Sequence, residues 1–245
     1  MSLSLLTDAG FDITQKNHAL AVLARDFPVP LKELCDVLTG IKIADVELIQ
    51  GGGGEASSTQ RLRKDLTDKN WEKRRITIRK TVDELEKFSV THQIDHVRRT
   101  ENGTIALEIE WNNKDPFFDR DLENFQRIHK DGVISAGVIV TRGRSLQDSL
   151  VKIVADCASR HNVRGFEDLS VFGVSPTKRQ RDMVESTGDD FIKDWAPVFV
   201  FVRDKFGTAT THWDKLQDRI ERGVGNPCPL LLIGIPASVI YEGKL

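Results

Sequence analysis

The alternating stretch Thr104 to Trp111 (TIALEIEW) constrains this chain more than any other. Ile105, Leu107, Ile109 and Trp111 fall on one face of a strand, and Thr104, Ala106, Glu108 and Glu110 on the other. An apolar face of this kind turns to a core, so the two glutamates share the opposite face, roughly 6.5–7 Å apart. Upstream, Gln93 to Glu101 supplies a partner strand, and Asn102-Gly103 between the two runs predicts a two-residue type I′ turn. With those residues at the turn centre, Glu101 pairs with Thr104 and Asp95 stands opposite Glu110. Glu108 then faces Val97, diagonal to Asp95. Like charges directly across a strand pair destabilise it, and neighbouring carboxylates resist joint ionisation without a cation. Three acids in one hairpin therefore point to a divalent metal ion. On periodicity alone, a solvated strand face with its glutamates in water remains the alternative.

At 245 residues the chain has room for one large domain with a substantial core, and the expectation is a single domain over 1–245. A net charge of −2 does not advertise nucleic-acid binding, yet acidic metal ligands can mask a local basic surface. Cys35, Cys157 and Cys228 form no CxxC pair, which argues against a zinc site or a disulfide framework and for free core thiols. The start, MSLSLLTDAGFD, lacks the basic and apolar regions of a secretory signal, and no apolar run reaches the length of a membrane span. A cytoplasmic protein is expected.

Residues 1–50 read as mostly helical, a packing region. Gly51 to Gly54 is the one low-complexity spot, a turn leading to a helix capped by Ser57 or Ser58. Without a GKS or GKT ending it is a poor phosphate loop, and a hinge or a loop passing near DNA suits it better. Between Gln60 and Lys80 nine cations (Arg61, Arg63, Lys64, Lys69, Lys73, Arg74, Arg75, Arg79 and Lys80) stand against three acids, either a solvated face or a phosphate-contacting one. After the hairpin, Pro116 suits the first turn of a helix over Phe117 to Lys130. Phe118, Leu122, Phe125 and Ile128 form its apolar stripe, with Asp119, Arg120, Asp121, Glu123 and Arg127 outward. Val133 to Val140 predicts a strand covered on both faces, and Arg142-Gly143-Arg144-Ser145 opens a further helix. Leu169 to Val174 and Val198 to Val202 read as strands, Pro176 to Glu185 and His212 to Arg222 as helices, and Pro229 to Ile235 as a last buried strand. The succession implies an α/β fold with a central mixed β-sheet flanked by helices.

Asp95, then Glu108-x-Glu110 on a hairpin followed by a helix, resembles the PD-(D/E)xK nuclease arrangement. More narrowly, Ile94-Asp95, Ala106 to Trp111, and the strand from Gly132 to Val140 resemble type II restriction endonucleases of the BglII, BstYI and BamHI group. The closing Pro227 to Pro236 also resembles the BstYI carboxyl terminus. Two departures from the superfamily stand out: Ile94 replaces the proline before the aspartate, and Glu110 replaces the usual lysine. The second narrows the likeness to the named group, where glutamate or glutamine takes that place.

The resemblance implies a restriction-endonuclease-like core over 90–160 and hydrolysis of double-stranded DNA at a short palindromic site. It implies a homodimer and a companion DNA methyltransferase. Asp95 and Glu108 would hold Mg²⁺ with the backbone carbonyl of Ile109, and Glu110 would orient or deprotonate the attacking water. A supporting acid from the preceding helix is sought first in Glu55 and then in Glu47. His92 and His96 alternate onto the face opposite Asp95, and with His129 they read as structural. Asn112, Asn113, Lys114, Arg142, Arg144, Ser145, Lys178 and Arg179 are the candidate DNA contacts. A structure-selective repair nuclease or junction resolvase on the same core, and a non-enzymatic DNA-binding protein, are the rival readings.

Overall fold

The computed structural model describes residues 3–50, 55–202 and 205–245. In chain order its elements are α1 (Ser4–Asp8), β1 (Asp12–Lys16), α2 (Ala19–Asp26), α3 (Pro28–Thr39), β2 (Ile43–Ala44), α4 (Asp45–Ile49), α5 (Ser57–Thr67), β3 (Glu72–Val82), β4 (Leu85–Thr100), β5 (Gly103–Glu110) and α6 (Pro116–Lys130). There follow β6 (Ala136–Arg142), α7 (Arg144–Arg160), α8 (Lys178–Glu185), α9 (Phe191–Val202), α10 (Trp213–Glu221), β7 (Leu230–Ile235) and β8 (Ile240–Tyr241). The main sheet runs β1-β7-β6-β5-β4-β3. Strands β3, β4 and β5 are antiparallel, β5, β6 and β7 are parallel, and β1 returns antiparallel on β7. This is the expected α/β fold with a mixed sheet flanked by helices.

Parallel neighbours need a crossover, and α6 supplies the one from β5 to β6. Its stripe of Phe118, Leu122, Phe125 and Ile128 covers one face of the sheet, beside Leu216 and Ile220 of α10. The helix approaches closely because Gly137 has no side chain; a Cβ there would lie 2.5 Å from Phe125 Cδ2. On the other face, Ile105, Leu107 and Ile109 of β5 belong to the larger core, which also holds buried residues of α3, α7 and α9. Covered twice, β6 and β7 are buried at every position, as their apolar runs require. All three cysteines are buried and free.

Several expectations need correction. Val198 to Val202 is the last part of α9, not a strand. An apolar run of this length has no periodicity to read, but Phe191, Trp195 and Phe199 recur every fourth residue and their rings touch in series. Leu169 to Val174 is largely a 3-10 turn that buries Leu169 and Phe172. In the N-terminal region, Asp12–Lys16 is an edge strand, short and half exposed, so its alternation is faint. Helix α5 starts from Ala56 with no side-chain cap, so neither Ser57 nor Ser58 caps it. The glycine run 51–54 lies outside the described residues. No helix among those described is long and apolar enough to cross a membrane.

Candidate active site

The β4–β5 hairpin closes one residue earlier than Asn-Gly chemistry suggests. Thr100 pairs with Gly103, so Glu101 and Asn102 form the turn centre. Positive φ falls on Gly103 alone, at 138°, where a type I′ turn needs it at both central residues. Asn102 is fixed in the centre by its side chain, which donates to the Asp26 carbonyl, and by its amide, which donates to Thr100 Oγ1. The ladder then ends with His96 opposite Leu107, two residues out of the register that would put Asp95 opposite Glu110. The Asp95 amide donates to Glu108 Oε2 at 3.3 Å.

A second irregularity lies on the other side of β4. Glu72 pairs with Val97 and Arg74 with Ile94, three steps on β4 against two on β3. One extra residue at Asp95–His96 makes a β-bulge, which re-aims side chains. Ile94 and Val97 consequently both face α6, and His92 lines the same cleft as Asp95 instead of lying opposite it. His96 is buried on its own, and burial pushes its pKa down to about 4, so it is neutral. His129 is structural, its ring within 2.9 Å of the Ile134 carbonyl.

The cleft has a volume of about 500 Å³ and is lined by Asp95, Glu108 and Glu110 from the sheet, by Asn113 after β5, and by Phe117, Arg120 and Asn124 of α6. Glu108 and Glu110 are buried, only 4% and 3% exposed, which excludes the solvated strand face. Burial raises the pKa of Glu108 well above the ordinary carboxylate range, with Asp121 and Asp95 adding to it. Burial also pushes Glu110 up to about 9, reinforced by the Asp121 carboxyl beside it. Asn113 Nδ2 donates to Glu110 Oε2 at 2.6 Å, while Thr141 Oγ1 donates to the Glu110 carbonyl at 2.7 Å. Lys73, from the strand position facing the bulge, reaches Asp95 at 3.4 Å.

Asp121 is the acid that periodicity placed outward and the fold places inside, at 1% exposure. Its Oδ1 accepts from Arg120 Nε at 2.8 Å, and its Oδ2 has no donor among the described residues. Phe117, Arg120, Asp121 and Asn124 sit at i, i+3, i+4 and i+7 of α6, one helical face. That spacing was readable, but its mixed chemistry hid it beside the stronger apolar stripe.

These groups suit a divalent cation. Buried acids with raised pKa values and an orphaned carboxylate oxygen gain most from one. Among the described residues no three acidic, histidine or cysteine side chains converge on one point.

The remaining candidates are dispersed. Glu55 pairs with Arg63 at 2.8 Å, and Glu47 accepts from Arg61 and from the Ala44 amide; neither lines the cleft. Asn112 is half-buried, and exposed Lys114 forms a backbone bridge with Thr210. Arg142 is wholly buried at the end of β6, donating to the Thr211 carbonyl and Thr210 Oγ1, which rules it out as a DNA contact in this arrangement. Arg144 is exposed and paired with Asp214, and Ser145 Oγ accepts from the Ala237 amide. Lys178 and Arg179 are exposed in the first turn of α8, whose Val184 packs with α9 across the sheet from α6.

Residues 11–235 match the family described as restriction endonuclease BglII/BglIII. No curated protein matches the chain.

Proposed function

Because the chain belongs to the BglII/BglIII family of restriction endonucleases, type II enzymes that hydrolyse double-stranded DNA at specific sites, we propose that the Asp95–Glu108–Glu110 cleft is its cutting centre. The observation that carries this reading is Asp95 bonded through its amide to the Glu108 carboxylate within the matched span, with Glu110 beside them in one cleft. The proposed cation is Mg²⁺, held by Asp95 and Glu108 with the backbone carbonyl of Ile109. When bound, such an ion polarises the phosphate and lowers the pKa of water.

The chain's own groups supply the rest. Asp95 and Glu108 come from neighbouring strands joined by the Asp95 amide, so the sheet holds their separation. Glu110 stands where a lysine would carry the general base and is fixed by the 2.6 Å bond from Asn113. Once ionised, a buried carboxylate accepts a proton more readily than a solvated one. Glu110 therefore orients the attacking water and takes its proton. Asn112, Asn113 and Lys114, at the mouth between β5 and α6, together with Arg144, meet the duplex, and the cations of β3 contact phosphates, which position without specifying sequence. Lys178 and Arg179, across the sheet, remain outer candidates, and Glu55 remains the supporting acid to test from the α5 side. The chain acts as one endonuclease domain and pairs into a homodimer on a palindromic site, with a companion methyltransferase protecting host DNA.

Digestion of supercoiled plasmid with the protein and MgCl₂ tests the reading. Discrete fragments whose sequenced ends share one short palindrome are expected, with plasmid left intact by Asp95→Asn. Random ends, or normal cutting by Asp95→Asn, overturn it.

A further inference from the structure

Among the described residues Arg120 is the only arginine or lysine that lines the cleft. Exposed arginines usually move freely in water, but this one is held from two directions. Its Nε donates to Asp121 Oδ1 at 2.8 Å, and its guanidinium lies 4.2 Å over the Phe117 ring. The carboxylate doing the holding is almost wholly buried, an arrangement that is costly unless it is compensated by hydrogen bonding. The terminal nitrogen NH2 lies 3.5 Å from Glu110 Oε1, beyond a good hydrogen bond, so the outer edge of the fork is not consumed there. That edge meets the cleft next to the proposed general base. Planar forks of this kind match the non-bridging oxygens of a phosphate.

We infer that Arg120 binds the phosphate being cut, with Asp121 and Phe117 positioning it. The inference rests on the cleft being the cutting centre. Asp121 is a positioning residue: it acts through the arginine and does not itself meet DNA. Lys73 nearby is half exposed and ion-paired with Asp95 at 3.4 Å.

The test uses duplexes carrying the site found by end sequencing, with either a normal or an uncharged methylphosphonate linkage at the cut position. In EDTA, the wild-type protein should bind the uncharged duplex more weakly than the normal one. Arg120→Ala should bind normal DNA more weakly but show no added loss on the uncharged duplex. Its log affinity against log salt should flatten by about 0.9, one phosphate contact. With MgCl₂, Arg120→Ala should lose about 10²-fold in kcat, with partial recovery in Arg120→Lys. Asp121→Asn should show a reduced methylphosphonate penalty with Arg120 still present. If Arg120→Ala keeps the full penalty and the wild-type salt slope, the inference is overturned. Asp95→Asn run in parallel separates the failures. Normal cutting by that variant sinks the cutting centre, whereas an inactive Asp95→Asn beside a fully active Arg120→Ala sinks only the arginine's role.

Discussion

Asp95 on β4 and Glu108 on β5 are neighbours across the strand pair, and the Asp95 amide donates to the Glu108 carboxylate at 3.3 Å. The main chain of one acid thus fixes the side chain of the other. Glu108 is buried and flanked by further carboxyls, so its neutral form is favoured until a cation arrives. Packing and electrostatics pull apart here, and the cation reconciles them.

The first prediction concerns that residue. Glu108→Gln keeps an oxygen to accept the Asp95 amide but removes the carboxylate that would hold the cation. Cutting should fall by at least about 10²-fold, the scale on which metal sites respond to altered partners. Specific binding without added metal should persist or tighten. Gel shift and cleavage on the same duplex measure both, and normal cutting would refute the assigned role.

The second follows from Glu110, whose pKa is raised to about 9 by burial first and then by Asp121. An unfolded glutamate titrates near ~4.3. Between those values the native state holds a proton that the unfolded state lacks, so stability falls as pH rises. The contribution is fully present below the unfolded pKa and lost as pH passes the folded one. Glu110→Gln cannot ionise, so in EDTA its advantage in Tm over the wild type should widen from pH 5 to pH 9. Each kcal/mol corresponds to roughly 2–4 °C for a chain of this size. A constant gap across that range would show that Glu110 does not titrate this way.

The hairpin acids and the apolar stripe of α6 were legible because period 2 and period 3.6 each leave a plain mark. The register was not, because it turned on Asn102 being held by Asp26, a contact 76 residues away in sequence. The face of His92 was not legible either, since one extra residue in β4 reverses alternation without changing composition. Asp121 was read as solvent-facing because carboxylates are rarely fully buried. Its partners Glu110 and Arg120 come together only once α6 lies across β5.

Cation binding should release protons, the third prediction. Glu110, pushed up to about 9, holds a proton near neutrality that a cation displaces, and Glu108 is raised in the same direction by burial. Calorimetric titration of MgCl₂ at pH 7 in buffers of different ionisation enthalpy should show net proton release, and affinity should rise between pH 6 and pH 9. Release should shrink in Glu110→Gln. Binding with no proton release in the wild type contradicts the coupling.

Arg142 separates a structural cation from a DNA-binding one. Burial lowers its pKa to about 9, still charged at neutral pH, and among the described residues it donates to neutral oxygens of Thr210 and Thr211, with the Phe206 ring centroid 5.0 Å away. Arg142→Ala should cost ~3 kcal/mol by urea unfolding, from stranded buried acceptors and a void. At temperatures where the variant stays folded, the salt dependence of DNA binding should match the wild type. A flattened salt slope would restore Arg142 as a phosphate contact.

The packing beneath α6 reaches the chemistry through Gly137. A methyl group there would sit 2.5 Å from Phe125 Cδ2, on a ring with no room to retreat because Phe125 is itself fully buried. Gly137→Ala must therefore tilt α6 away from β6 or twist the ring off its rotamer, at a cost of about 1–3 kcal/mol. Phe117, Arg120 and Asp121 ride on the same helix, while Asp95, Glu108 and Glu110 stay with the sheet. Tilting would widen the gap between the two sets, lowering kcat more than it weakens DNA binding. Phe125→Leu added to Gly137→Ala relieves the clash and should return part of both stability and kcat, although Phe125→Leu alone should cost stability. A double variant no better than Gly137→Ala alone would show that the helix does not transmit the strain to the cleft.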